Sequence, residues 1–372
     1  MNEMSLFEKK ERTLDGPAKY NVDTYQYYND SARQDMEVIR QLLEKWFSHY
    51  PDDEKQDLKT RFQASFDAAF YELYIYTLFT KLGFSLSIHP DIPGTLKRPD
   101  YLATKDGEFL YIEVKHMTML SQDERSLERK KNTLLDSLDK IEASNFLLKL
   151  DEIVFKDNSQ PSGKMIVRYF NQTISSYDPD IYTDLLSQRG FQAMPKIVYD
   201  DDKVKIELQL IPKSPLHRGT NSRSIGTHPI VTQIGNDSED IITALESKAT
   251  RYGALNAPYI ICLNKQSISL DIIEVQEALY GSLQISWRDI PDNRDERLEF
   301  SGNGFFGSKN NPKFTRVSGV YITNANTANL ATTVDHAFRH NPLAQFPTYM
   351  VIDKPVQELL SIPLDYPMPS KI

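Results

Sequence analysis

The spacing of hydrophobic residues alternates between helical and strand periods along most of the chain. Apolar positions three and four residues apart, together with start and stop residues, predict helices over residues 31–60, 62–82, 121–142, 161–174, 239–252 and 271–280. Short apolar or alternating runs predict strands over residues 84–89, 101–104, 108–115, 146–154, 203–211, 259–263 and 317–323. This succession predicts an α/β fold with a mixed central sheet flanked by helices.

Three of these segments carry a prediction about burial. Helix 62–82 is apolar almost all round and is followed by Gly83, so we expect it to be buried. The run 259–263 is apolar throughout, which is typical of a strand in the buried, parallel part of a sheet. Residues 203–211 alternate between polar and apolar side chains, which favours an exposed or edge strand.

The sequence predicts three regions. Residues 1–60 form an N-terminal arm that is polar up to about residue 30, followed by a helix that stops near Pro51. Residues 61–285 carry the predicted α/β core, including a basic loop at 212–228. Residues 286–372 are predicted to be a C-terminal extension, because their pattern weakens into glycine-rich turns and a proline-rich tail.

Composition narrows the class of protein. The chain has 372 residues, 40% of them hydrophobic, which excludes a wholly disordered chain. We expect no membrane span and no secretory signal, because no apolar run is long enough and the N-terminus is charged. The one cysteine, Cys262, cannot form an internal disulfide, so a reducing, cytoplasmic compartment is expected. A net charge of −9 excludes a strongly basic nucleic-acid-binding coat but leaves room for a local basic groove.

The segment 98–115 contains the most informative chemistry. Asp106-Gly107 is a strong signal for a two-residue hairpin turn, which pairs Lys105 with Glu108 and places Asp100 directly across from Glu113. Lys115 lies two residues beyond Glu113 and therefore projects from the same face of the sheet. Like charges opposed in this way repel one another, and Mg²⁺ resolves the repulsion because it binds one or two carboxylates together with water and phosphate oxygens.

The residues Pro99-Asp100 and Glu113-Val114-Lys115 resemble the motif of the PD-(D/E)XK phosphodiesterase superfamily, which has the restriction-endonuclease-like fold. The resemblance implies that Asp100 and Glu113 bind Mg²⁺, with Mn²⁺ expected to substitute, and that Lys115 positions or activates the attacking water. Many members also use a glutamate on the preceding helix, for which Glu72 is the candidate here. A second match, Pro179-Asp180 with Asp201-Asp202-Lys203, fails because Asp200-Asp-Asp-Lys203 has the pattern of a turn.

Other basic residues are candidates for substrate binding. Lys248 and Tyr252 share the inward-facing stripe of helix 239–252 and are loosely similar to the Gln-x3-Tyr helix of exonuclease-like members, although a lysine stem that covers the core explains the position as well. In the basic loop, Lys213, Arg218 and Arg223 occur without an acidic neighbour, which suits a mobile phosphate-contacting loop, although a plain solvated loop is the more usual explanation of such a segment.

Taken with the resemblance, these residues predict a Mg²⁺-dependent nuclease acting on DNA, with bacterial defence or DNA repair as its expected setting. Two alternatives stay open: a non-catalytic scaffold that keeps the fold for nucleic-acid binding or assembly, and a nuclease that cleaves RNA. For the scaffold, the hairpin end would be an ion-paired cluster in which Lys115 bridges the two acids. The sequence decides neither a homodimer nor a partner protein.

Overall fold

The computed structural model of the chain describes residues 4–117, 122–219, 225–227, 237–265, 270–286, 297–330, 334–360 and 362. The chain divides into two compact units. The first unit comprises Met1–Pro17, Asp23–Met119 and Gly235–Ile372, and the second comprises Ala18–Val22 and Leu120–Ile234. This division differs from the predicted regions, because the second unit interrupts the stretch 61–285 and residues 286–372 belong to the first unit.

The helices and strands follow in chain order. The helices are α1 Thr24–Asp30, α2 Gln34–Ser48, α3 Lys55–Ala64, α4 Phe66–Lys81, α5 Gln122–Leu138, α6 Gly163–Ile174, α7 Pro179–Arg189, α8 Asp237–Ala249, α9 Ile272–Tyr280 and α10 Val356–Leu359. The strands are β1 Ser85–Ile88, β2 Tyr101–Lys105, β3 Glu108–Met117, β4 Phe146–Phe155, β5 Lys196–Asp200, β6 Val204–Pro212, β7 Ile225–Thr227, β8 Tyr259–Lys265, β9 Leu283–Ser286, β10 Arg297–Phe300, β11 Gly307–Ser308, β12 Asn311–Pro312, β13 Gly319–Thr323 and β14 His336–His340.

The first unit is built on a mixed sheet of six strands in the order β1-β2-β3-β8-β13-β14. Strands β3, β8 and β13 are parallel, and the other three are antiparallel to their neighbours. The α/β class and the mixed central sheet are therefore as predicted. Every residue of β8 is buried, as the apolar run 259–263 indicated.

Helices cover both faces of this sheet. On one face, the hydroxyl groups of Tyr74 in α4 and Tyr321 in β13 are 3.2 Å apart. On the other face, Leu245 of α8 packs in one hydrophobic cluster with Ile261 of β8. The faces are opposite because Tyr321 pairs with Cys262, the residue next to Ile261, and successive side chains of a strand alternate between faces. In the part of the chain that the structure describes, no helix is long and apolar enough to cross a membrane.

The hairpin formed by β2 and β3 has the predicted register. Lys105 pairs with Glu108, and the ladder continues to the pair of Tyr101 with Ile112. Asp106 and Gly107 have φ values of 53° and 85°, the left-handed conformation that a two-residue hairpin loop requires at both positions.

The N-terminal residues pack into the first unit, and this corrects the prediction of a polar arm. Leu6 and Phe7 are buried, and their backbone N–H groups donate to the Glu44 carboxylate at 3.0 and 2.7 Å. Tyr25 and Tyr28 of α1 are also buried. The sequence pattern predicts a polar segment here, but the tyrosine rings supply apolar area for packing.

The predicted helix 31–60 consists of two helices, α2 and α3, which are separated by a turn that contains Pro51. Helix α4 begins at Phe66, four residues later than predicted, and ends before Gly83. Gly83 has a φ of 89°, where a residue with a Cβ atom would be strained. Eleven residues of α4 are buried, in agreement with its apolar pattern.

The second unit is a four-stranded sheet in the order β5-β6-β4-β7 with α5 and α6 packed against it. The prediction of an exposed or edge strand at 203–211 is wrong, because β6 pairs with both β4 and β5 and each of its residues is buried or partly buried. Its alternation arises because one face, which includes Val204 and Leu208, is fully buried while the other carries polar residues. The sequence interpretation did not include β5 or α7.

The two parts of the second match lie in different elements: Pro179-Asp180 begins α7, and Asp201-Asp202-Lys203 is the turn between β5 and β6. Asp201 Oδ1 accepts hydrogen bonds from the backbone N–H groups of Lys203 and Val204, each at 2.8 Å. The carboxylate thus closes a turn, as the sequence indicated.

Candidate functional site

The Asp100 and Glu113 carboxylates lie close together at the end of the hairpin. Glu113 is fully buried in β3, and Asp100 directly precedes β2. Asp100 Oδ2 accepts a hydrogen bond from the backbone N–H of Val114 at 2.6 Å. Burial, and after it the charge of Glu113, raise the pKa of Asp100 to about 6, which is the direction expected for two neighbouring carboxylates.

Three side chains surround the Glu113 carboxylate. Its Oε1 accepts hydrogen bonds from the Lys248 ammonium and, at 2.9 Å, from the Arg251 guanidinium. Its Oε2 lies within hydrogen-bond distance of the Tyr252 hydroxyl, which is also 2.8 Å from the Arg98 carbonyl oxygen. A hydroxyl has one proton to donate, so Tyr252 bonds one of these two acceptors at a time. Two cations therefore neutralise this buried carboxylate.

Helix α8 and the turn that follows it bring these partners to Glu113. Glu113 pairs with Ile261 and so projects from the sheet face that α8 covers. The segment after α8 is tethered at its backbone, because the Arg316 guanidinium donates to the carbonyl oxygen of Tyr252. Lys248 and Tyr252 both face inward as predicted and bond Glu113, but the helix ends at Ala249 and Tyr252 lies beyond it rather than on a helical stripe.

Lys115 lies two residues beyond Glu113 on the same face of β3, partly buried. Among the described residues, no carboxylate oxygen lies within 4 Å of its ammonium, so Lys115 does not bridge the two acids. Burial and the nearby charge of Lys248 lower the pKa of Lys115. The bridging arrangement is thus corrected: Lys248 and Arg251 pair with Glu113 instead.

Glu72 lies in α4, and its carboxylate is near enough to Asp100 and Lys248 for their charges to act on its pKa. The Tyr101 hydroxyl donates to the Glu72 carbonyl oxygen at 3.0 Å, and Tyr101 pairs with Ile112, whose side chain faces away from that of Glu113. The Glu72 carboxylate forms an ion pair with Arg61 of α3. Burial raises the pKa of Glu72 to about 7, although the charge of Arg61 opposes this shift. The structure does not join Glu72 to the two other acids as a ligand.

The donor set at the hairpin end fits Mg²⁺ in its chemistry. Within the described ranges, no group of three or more His, Cys, Asp or Glu side chains is placed to hold a metal ion. Mg²⁺ usually takes only one or two protein carboxylates and keeps several waters. The repulsion that raises the pKa of Asp100 is what a cation between the two acids would remove.

The predicted basic loop is partly held inside the second unit. Lys213 is buried, with 5% of its surface exposed. The Arg218 guanidinium forms an ion pair with Asp180 at 2.6 Å and donates to Thr183 Oγ1 at 3.1 Å, both residues of α7. Arg223 lies outside the described residues. Lys213 is thus buried and Arg218 is paired with α7, so neither side chain extends freely from a loop, and phosphate contact by these residues stays a prediction.

Sequence reasoning missed two residues that bear on the site. Arg251 follows Lys248 by three positions, a spacing that places both on one side of a helical turn, and this signal was available. Arg61 could not be paired with Glu72 from the sequence, because the pair depends on how α3 packs against α4.

No protein-family model matches the sequence, and the searches of curated proteins and of solved structures found no match either. The similarity to the PD-(D/E)XK superfamily therefore rests on the residues of the hairpin and their arrangement.

Proposed function

We propose that the protein is a metal-dependent nuclease with a restriction-endonuclease-like core, and that it hydrolyses phosphodiester bonds in DNA. The observation that carries the proposal is the hairpin end, where Asp100 and Glu113 lie beside one another and Lys115 projects from the same sheet face. Lys248 of α8 and Arg251 from the turn that follows it add positive charge at the same place.

The local charge suits an anionic substrate, although the whole chain carries a net charge of −9. Lys115, Lys248 and Arg251 lie near the two carboxylates, which leaves one net positive charge when all five groups are ionised. Arg251 is 41% exposed, so its guanidinium can reach a phosphate from solvent. Guanidinium and ammonium groups bind phosphate oxygens through charge-assisted hydrogen bonds.

In the proposed mechanism, Asp100 and Glu113 would hold Mg²⁺, which when bound supplies positive charge for the phosphate oxygens. Lys115 orients the attacking water, because its ammonium is held at the site without a carboxylate partner in the described residues. Lys248 and Arg251 bind the phosphate and stabilise the charge that develops on it. Glu72 acts at most indirectly, through the effect of its charge on the other acids.

A second candidate function is a non-catalytic nucleic-acid-binding or assembly scaffold. It is favoured by the Glu113 carboxylate, because both oxygens already have partners within this unit. On this account the acids and cations form a structural cluster, and the protein binds no divalent cation.

The test is incubation of the full chain with plasmid, linear duplex DNA, single-stranded DNA and RNA, each in Mg²⁺, Mn²⁺ and EDTA. The proposal predicts cleavage of at least one DNA substrate with either cation and none in EDTA. The matched control is Asp100→Asn, which keeps the acceptor for the Val114 N–H and should not cleave. Cleavage of RNA alone would favour the RNA nuclease, and no cleavage of any substrate would favour the scaffold.

A further inference from the structure

In the substrate-free protein, the contacts of the Glu113 carboxylate disfavour the binding of a metal ion. The carboxylate is fully buried, and its Oε1 forms ion pairs with both Lys248 and Arg251. A divalent cation bound to this oxygen would lie next to two positive charges, which repel it. Glu113 is therefore a poor ligand for a metal as long as both cations remain in place.

A phosphodiester offers these two cations another anionic partner. The Arg251 side chain is 41% exposed and that of Lys248 is 15% exposed, so solvent reaches both groups, although it does not reach Glu113. Both residues project from α8 or the turn that follows it, so a single phosphate group can contact the pair. If the phosphate takes Lys248 and Arg251, Glu113 keeps only its contact with Tyr252, and Oε1 becomes available for a cation.

We propose that Lys248 and Arg251 exchange Glu113 for a substrate phosphate, so that nucleic acid and the divalent cation bind with positive coupling. The proposal rests on the proposed nuclease function and assigns a regulation to that same site. The exchange would keep the metal site weak until a phosphodiester is present. By linkage, the factor by which the nucleic acid tightens metal binding equals the factor by which the metal tightens nucleic-acid binding.

The test is the calorimetric affinity of Mn²⁺ for the full chain, alone and with a saturating duplex DNA whose phosphorothioate backbone resists hydrolysis. We expect the duplex to tighten Mn²⁺ binding about tenfold or more, within the usual range of coupling between sites. The affinity for the same duplex, measured by fluorescence anisotropy with and without Mn²⁺, should increase by the same factor when Mn²⁺ is present.

Two variants should remove the coupling. Lys248→Met and Arg251→Met each delete one cation and keep much of the side-chain volume. Without DNA, both variants should bind Mn²⁺ more tightly than the wild type does. The duplex should then increase their Mn²⁺ affinity by less than about threefold. The control is Lys354→Met, which removes an exposed ion pair with Glu358 on α10 and should leave the wild-type coupling intact. Circular dichroism checks that each variant is folded.

The outcomes separate this inference from the function on which it rests. Equal Mn²⁺ affinity with and without the duplex, in a protein that cleaves DNA, overturns the exchange and leaves the nuclease assignment standing. A protein that binds no Mn²⁺ in either condition and cleaves nothing overturns both. Coupling that persists unchanged in Lys248→Met and Arg251→Met overturns the assignment of the exchange to these two residues.

Discussion

The Lys248 ammonium forms an ion pair with the Glu113 carboxylate, which has no exposed surface. This pair distinguishes the two acids of the hairpin. Glu113 is compensated by two cations, whereas Asp100 has a hydrogen bond from the Val114 N–H and a raised pKa. The same kind of substitution should therefore have opposite effects on stability at these two positions.

Replacing Asp100 should stabilise the metal-free protein at neutral pH. Its pKa is raised from 3.8 to about 6, so between these values the folded state binds more protons than the unfolded state. The free energy of unfolding therefore falls as the pH rises from about 4 to about 6, and this loss is absent below pH 4. Asp100→Asn should therefore raise the free energy of unfolding above pH 6 by on the order of 2 kcal/mol, and change it little below pH 4. Urea denaturation in EDTA across this pH range measures the effect. Asp53→Asn, at an exposed turn, is the control, and an equal gain there would contradict the account.

Replacing Glu113 should destabilise the fold. Glu113→Gln leaves the Lys248 ammonium, which is 15% exposed, without its anionic partner. We expect a loss of about 2 kcal/mol in the free energy of unfolding, below the cost for a fully buried pair because Arg251 can return to water. Glu358→Gln breaks an exposed pair and should cost less than about 0.5 kcal/mol. Equal losses in the two variants would show that the Glu113 cluster does not stabilise the protein.

Lys115→Met should separate catalysis from stability. The ammonium of Lys115 has no carboxylate within 4 Å among the described residues, and burial lowers its pKa, so the methionine variant should unfold at a similar urea concentration. Single-turnover cleavage should fall by about 10²-fold or more, which is the usual effect of losing a general acid–base contribution. Cleavage within a few-fold of the wild-type rate in a folded variant would remove Lys115 from the mechanism.

Arg218→Ala should weaken the second unit and leave nucleic-acid binding unchanged. The substitution removes the ion pair with Asp180 and the hydrogen bond to Thr183, and we expect a loss of about 1 kcal/mol. The dependence of DNA affinity on salt concentration should keep its wild-type slope. A slope reduced by about 0.9 would mean that Arg218 contacts a phosphate.

The hairpin and the buried parallel strand could be predicted because their signals are local. Asp106-Gly107 fixes the loop length, and the loop length fixes which residues of β2 and β3 are paired. The signal of β8 is also local, because a strand that is apolar at every position is buried on both faces of its sheet. Lys248 and Tyr252 were found from helical spacing alone, although the acceptor of their hydrogen bonds was not.

The remaining features depend on contacts between distant segments. The pairing of Arg61 with Glu72 follows from the packing of two helices, and nothing in either helix specifies it. The division into two units requires knowing that β13 returns beside β8, which a short apolar strand does not reveal. Arg218 was interpreted as a solvent-facing cation because its partner Asp180 lies 38 positions away in the sequence.

Single-turnover cleavage of duplex DNA by the wild type and by Asp100→Asn, in Mg²⁺ and in EDTA, tests the nuclease assignment most directly. The substitution keeps the hydrogen bond from Val114 and should raise stability, so a loss of activity cannot be attributed to unfolding. The account predicts cleavage by the wild type in Mg²⁺ only, and a rate at least about 10²-fold lower for the variant, the scale of one lost contribution to catalysis. Cleavage by Asp100→Asn at the wild-type rate, or by the wild type in EDTA, would contradict it.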